Sequence, residues 1–132
     1  FPPHAWYTIV RRVTSAAEGI AMVNPFLGLP PHDPDVRIRV SGGMNRPPYE
    51  KSVAGAALFE TARKVAAGIG FDLQDCAMTG GGSDGNFTAA LGVPTLDGLG
   101  IDGDGAHTLS EYALISSIAP RKALIRGLLE AV

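Results

Sequence analysis

Residues 80–108 read GGGSDGNFTAALGVPTLDGLGIDGDGAHT. Gly80, Gly81 and Gly82 end whatever precedes them and permit a sharp change of direction. Before them, Leu73 to Thr79 reads as a buried strand. After them, Ser83 or Asp84 caps a short helix that runs through Leu91 and closes at Gly92. Val93 to Leu96 reads as another short strand, and residues 97–108 as a loop that is not regular. Strand, glycine turn, helix and strand follow the order of an α/β unit, which sets the fold class.

Further on, Thr108 and Glu111 fit a capping box that would start a helix at Leu109. Pro120 would then sit deep in that helix and disrupt it. Glu111 to Ile115 therefore reads as a short strand, and Ser116 caps a final helix to about Ala131, with Pro120 tolerated near its first turn. On the other side, Ser52 caps a helix whose apolar face is Val53, Ala57, Leu58, Ala62, Val65 and Ile69, with Gly68 and Gly70 as the stop. Asn45-Arg46-Pro47-Pro48 is extended, because each proline disfavours the α region in the residue before it. Val36 to Val40 alternates as a half-exposed strand ended by Gly42-Gly43. Residues 24–35 hold four prolines and form a loop. Residues 5–23 place Trp6, Ile9, Val10, Val13, Ala17 and Ile20 at helical spacing.

The 132 residues suit one domain, or one domain with a small appendage. Area scaling gives about 6,600 Å² folded against roughly 19,900 Å² unfolded, enough burial for a real core. A hydrophobic content of 45% and a net charge of −2 exclude a disordered chain. Eleven Lys and Arg against thirteen Asp and Glu argue against a nucleic-acid surface. No apolar run is long enough for a transmembrane helix. Cys76 alone excludes an internal disulfide or a cysteine-based zinc knuckle, and reads as a small core hydrophobe. Phe1-Pro2-Pro3-His4 has neither a basic start nor an apolar run, so it is no signal peptide and reads as a cut from a longer chain. A cytoplasmic setting is expected, with export left open.

Three stretches can carry chemistry. Gly80 to Gly85 before a helix is an anion-binding geometry, though it equally suits a bare turn. It lacks the Gly-Lys-Ser/Thr of a nucleotide P-loop and the spacing of a dinucleotide fold. Arg46 presents a guanidinium on a proline-stiffened segment, where its fork can grip a carboxylate, or it is simply a surface arginine. Asp102, Asp104 and His107 gather on glycine-built backbone. As a calcium loop they would put Gly100, which has no ligand, at the first position. As a transition-metal site they offer one imidazole; an exposed histidine is the plain alternative. His4 and His32 read as solvated, and Asn86-Phe87-Thr88 is a glycosylation sequon by pattern only.

Residues 80–100, then Gly103-Asp104-Gly105-Ala106-His107-Thr108 and Glu111-Tyr112, resemble the C-terminal part of the zinc-dependent glutamate carboxypeptidase family. That family includes acetylornithine deacetylase, succinyl-diaminopimelate desuccinylase and the aminoacylases. Gly42 to Pro48 resembles the return from its lid domain to its catalytic domain. The resemblance covers residues 36–132 well, and residues 1–35 only loosely, as a last lid helix. It implies a partial zinc-peptidase-like α/β sheet flanked by helices, plus a remnant of an α+β lid, or dimerisation, domain. It divides the chain into 1–43 and 44–132. It implies hydrolysis of N-acyl amino acids or small peptides with two zinc ions. His107 matches a zinc ligand, and Arg46 an arginine that holds the substrate carboxylate. Asn45 and the turn of Gly81, Gly82, Ser83, Asp84 and Gly85 line the substrate pocket.

The family's His-x-Asp motif, bridging Asp, paired glutamates and lid histidine have no counterpart here; His32-Asp33-Pro34-Asp35 does not fit. No residue of this chain is therefore assigned as catalytic. One imidazole cannot hold two zinc ions, so the chain alone is expected to bind zinc weakly and to be inactive. Its expected partners are an N-terminal part of the catalytic domain, an acyl-amino-acid or peptide substrate and another copy of itself, not nucleic acid or membrane. Two other readings stand beside the enzyme: a self-associating binding module, and a small anion-binding α/β domain built on the Gly80 turn.

Overall fold

A computed structural model describes residues 3–76 and 78–132. Helix α2 spans Val53–Gly68. Ser52 Oγ accepts the Gly55 N–H at 2.9 Å, and Gly70, at a φ of 71°, turns the chain back, as the sequence predicts. Helix α4 spans Ile118–Ala131. Pro120 is its third residue, where the missing N–H has no intrahelical partner to lose. The two helices pack along Ala62 and Ala66 on one side and Leu124 and Leu128 on the other, and Leu73 completes the buried cluster. Gly127 lets them approach: a Cβ there would stand 2.5 Å from Val65 Cγ1. Phe59, Val65, Phe71, Leu96 and Leu99 pack around this core.

Helix α1, Ala16–Leu27, starts eleven residues later than the apolar spacing of residues 5–23 predicts. Ser15 decides the start. Its Oγ accepts the Glu18 N–H at 3.1 Å, and Glu18 Oε2 reaches back to the Thr14 N–H at 2.8 Å. These bonds from the Thr14 backbone, then from its hydroxyl, hold the Glu18 carboxyl below its usual range. Ser-Ala-Ala-Glu is a capping signature that outweighs the periodicity before it. Trp6 and Val10 are left exposed. The helix also runs through Pro25, into the expected loop.

The sheet is smaller than expected. Among the described residues, only β1, Gly103–Asp104, and β2, Tyr112–Ala113, pair, antiparallel, with Gly103 opposite Ala113. Val36 to Val40, Leu73 to Thr79 and Val93 to Leu96 form no ladder among the described residues, and Ala77 lies outside them. A strand exists through its neighbour's N–H and C=O groups, and these segments pair with no strand among the described residues. The alternation of Val36 to Val40 is real but unpartnered there. Cys76, expected in the core, is exposed for the same reason. The cap of α4 is Ser117, not Ser116, and its hydroxyl serves the loop before it rather than the helix. Helix α3, Gly85–Ala90, sits where the sequence puts it, with Gly92 at a φ of 80°.

Folding hides less surface than the composition promises. The accessible area is 10,750 Å², against about 6,600 Å² for a compact monomer of this mass. Among the described residues the buried core is the α2–α4 contact together with Leu73. No helix among the described residues is long and apolar enough to cross a membrane.

Two outcomes follow from this distribution. Leu124 is fully buried, so Leu124→Ala should cost about 2–4 kcal/mol in urea unfolding, while Leu129→Ala, at an exposed site, should stay within about 0.5 kcal/mol. Amides of residues 5–41 should exchange early in a monomer, or gain protection only when two copies associate. Slow, uniform exchange across that segment in a proven monomer would contradict this expectation.

Candidate functional site

The Gly80 turn and the Arg46 segment, far apart in sequence, meet in space. Asn86 on α3 ties them. Its Nδ2 donates to the Pro47 carbonyl at 2.8 Å, while its Oδ1 accepts the Ser83 N–H at 2.9 Å. Arg46 then lies across the turn. A Cβ on Gly82 would stand 2.9 Å from Arg46 Cδ, so glycine is what lets the side chain pass. The guanidinium sits 5.0 Å from the centre of the Phe87 ring, within cation–π range. Its Nη1 is 3.5 Å from Asp84 Oδ1.

The floor beneath this cluster is also cross-tied. Ser83 Oγ donates to Asp97 and accepts the Gly85 N–H at 3.1 Å. The Tyr49 hydroxyl donates to the Thr95 carbonyl. Burial pushes the Tyr49 phenol above its usual range, and the Asp97 charge adds to this. Gly81 N–H donates to Thr79 Oγ1 at 3.2 Å. Three main-chain donors of the turn, at Gly81, Ser83 and Gly85, are therefore already satisfied by side chains. That speaks against the anion-cradle reading, which needs them free. Asn45 is exposed and makes no hydrogen bond among the described residues.

Sequence reasoning named Arg46 and residues 81–85 but missed the residues that join them. Asn86 and Phe87 entered only as part of a sequon, and Tyr49 and Asp97 were not singled out. A polar side chain two residues into a glycine-led helix was the available signal for Asn86.

His107 belongs to a separate construction. It adopts a left-handed backbone, with a φ of 67°, alone in this among the described non-glycine residues. Such a conformation costs on the order of 1 kcal/mol or more and persists only where neighbours enforce it. Here Thr108 Oγ1 donates to the Gly105 carbonyl at 2.6 Å, and Glu111 Oε2 accepts the His107 N–H at 3.2 Å. The Thr108 and Glu111 pair thus closes a turn instead of starting a helix. The base of the loop is fixed by Arg121, whose Nη2 donates to Asp102 Oδ1 at 2.6 Å while its guanidinium stacks 4.9 Å from the Phe71 ring centre. Asp102 N–H donates to Ser117 Oγ at 2.9 Å, and Leu114 N–H to the Asp102 carbonyl at 2.7 Å.

A zinc ion asks for about four donors in tetrahedral array. His107 brings one imidazole. Asp102 is ion-paired, Asp104 accepts the Gly105 N–H at 2.7 Å, and Glu111 accepts the His107 N–H. No three His, Cys, Asp or Glu side chains among the described residues gather to hold a metal. The residues present do not make a zinc site, nor a calcium loop. No hydrogen bond or ion pair among the described residues joins His107 to the Arg46 cluster.

Residues 3–131 match Peptidase family M20/M25/M40. Carboxypeptidase G2 of Pseudomonas sp. (strain RS-16) is 35% identical over 89 residues, which are 67% of this chain and 21% of that protein. The chain thus spans a minor part of the length of the curated relative it matches. No solved structure matches it. With nearly its whole length matched, and with Arg46, the glycine turn and the His107 loop all inside the matched region, the chain belongs to peptidase family M20/M25/M40.

Proposed function

We propose that this chain is the C-terminal portion of a dinuclear zinc amidohydrolase or carboxypeptidase acting on N-acyl amino acids or small peptides. Residues 44–132 form part of its catalytic domain, and 1–43 a remnant of its lid. Family membership supports the reaction class. The observation that carries the substrate class is the placing of Arg46 across the Gly82 turn. A guanidinium held by a ring face, a glycine and a clamped proline segment is oriented before any ligand arrives, and its fork suits a carboxylate.

In this reading Arg46 binds and orients the substrate's free carboxylate. Gly81 to Gly85 form the wall beside it, and Asn45 stands at the rim. His107 supplies one zinc ligand on a loop whose strained backbone is set in advance. The other ligands and the general base come from polypeptide outside this chain, so the chain alone is inactive. The exposed apolar surface supports a covering partner: the N-terminal part of the catalytic domain first, and a second copy for the lid remnant. A self-associating module without catalysis is the second reading, favoured by that same surface. A cytoplasmic setting belongs to the proposal as well.

Two measurements test it. In the enzyme completed by its other ligands, Arg46→Lys should lower kcat/KM by about 10- to 100-fold for a substrate with a free carboxylate, because charge is kept and the fork is lost. An unchanged value refutes the assignment. Metal analysis of the isolated chain after dialysis should find well under one tightly held zinc ion. The completed enzyme should hold two, and His107→Ala should lower that occupancy and most of the activity. Two stoichiometric ions on the isolated chain would overturn the ligand assignment.

A further inference from the structure

We propose that Asp84 is an internal competitor for the Arg46 guanidinium: its carboxylate occupies the anchor in the free protein and must be displaced by an incoming ligand carboxylate. The inference rests on the reading of Arg46 as the carboxylate anchor and adds a specificity-determining residue to it.

The two partners are held very differently. Arg46 is fixed along its length, by Gly82 beneath its Cδ, by Phe87 beneath its guanidinium and by Asn86 on the adjoining backbone. The Asp84 side chain makes no other hydrogen bond or ion pair among the described residues, although its main-chain carbonyl accepts the Phe87 N–H at 3.0 Å. Its side chain is 101% exposed, and although it precedes α3 it makes no capping bond. The capping work is done by its neighbours, with Ser83 Oγ on the Gly85 N–H and Asn86 Oδ1 on the Ser83 N–H.

The pair itself is long. One guanidinium nitrogen stands 3.5 Å from one carboxylate oxygen, whereas Arg121 and Asp102 meet at 2.6 Å with Arg121 only 16% exposed. An exposed, single-contact pair keeps its hydration and opens cheaply. A ligand carboxylate that takes both arms of the fork replaces one weak contact with two. A neutral amide cannot displace Asp84 on those terms. The competitor therefore discriminates for free carboxylates at a modest cost in affinity, since the anchor is available only in the fraction of molecules where the pair is open.

The test uses N-acetylalanine as probe, N-acetylalaninamide as control, and NMR titration of the Arg46 Nε–H and the amides of residues 81–85. Asp84→Asn should bind N-acetylalanine about two- to sixfold more tightly than the unaltered chain. Asp84→Glu should stay near the unaltered value, and the amide should gain nothing. The gain should vanish in an Arg46→Gln background, because competition acts only through the guanidinium. Circular dichroism confirms that each variant is folded, which is expected for a fully exposed residue. Equal affinity in the unaltered chain and Asp84→Asn overturns the competitor. So does a gain that persists without Arg46, which would be a general charge effect. In both cases a loss of binding in Arg46→Gln leaves the anchor standing. If Arg46→Gln changes nothing in either background, or if no variant binds the probe, the anchor reading fails and the competitor falls with it.

Discussion

Helices α2 and α4 come close because what lies between them is small. Ala62 and Ala66 carry single methyls, and Gly127 leaves room for Val65. Close approach lets Leu124 bury completely and Leu128 nearly so, in one cluster with Ala62, Ala66 and Leu73. Much of the rest hangs on that contact. Arg121 projects from α4 to Asp102 and across Phe71, so the base of the His107 loop is set by the helix pair. Arg121 Nε is buried there without a partner. Burying a guanidinium nitrogen unpaired is unfavourable, and it is tolerated beside a short bond to a carboxylate and an aromatic face.

Away from this contact the chain has patterned apolar residues with nothing to cover them. Val36, Ile38 and Val40 alternate, and all three are between a third and a half exposed. Area in excess of a compact monomer by roughly 4,000 Å² is far more than a standard protein interface buries, about 1,600 Å² over both partners. The sequence offers several strand-like segments, and among the described residues the ladder is a single two-residue pair. Strand propensity is a statement about packing on a pleated surface, and it has no effect where the neighbouring strand is not supplied.

How much was legible follows from this. Helix α2 could be read almost to the residue, because Ser52, the apolar face and Gly70 are all local signals. The glycine turn with α3, and the place of Pro120 in α4, were legible for the same reason. Val36 to Val40, Leu73 to Thr79 and Val93 to Leu96 read as strands but form no ladder among the described residues, since pairing depends on residues distant in sequence. The late start of α1 was legible and overlooked: Ser15 and Glu18 are the same signature that Thr108 and Glu111 carry. At 108–111 that signature closes a turn, because Gly105 and the left-handed His107 give the side chains a carbonyl and an N–H to bond before a helix can form. The resemblance put Arg46 and Gly81 to Gly85 in one pocket, and the fold shows what joins them. Their connection through Asn86 had no sequence signal beyond its position.

The two halves of the candidate site differ in what they need from elsewhere. The Arg46 half is self-contained: the arginine, the Phe87 ring, the Asn86 clamp and the Asp84 carboxylate lie within residues 46–97, and three main-chain donors of its turn are committed to side chains. The His107 half is a preformed loop that offers a single imidazole and commits its carboxylates to holding that loop in shape. A site that must recognise a small ligand benefits from order before binding, since each group left free must be frozen when the ligand arrives. A site that must hold a metal needs several donors to converge, and convergence draws on distant segments of a fold. Asp102 is committed to Arg121 and Asp104 to the Gly105 N–H, while Glu111 accepts the His107 N–H and so helps hold a conformation that His107 would not otherwise adopt.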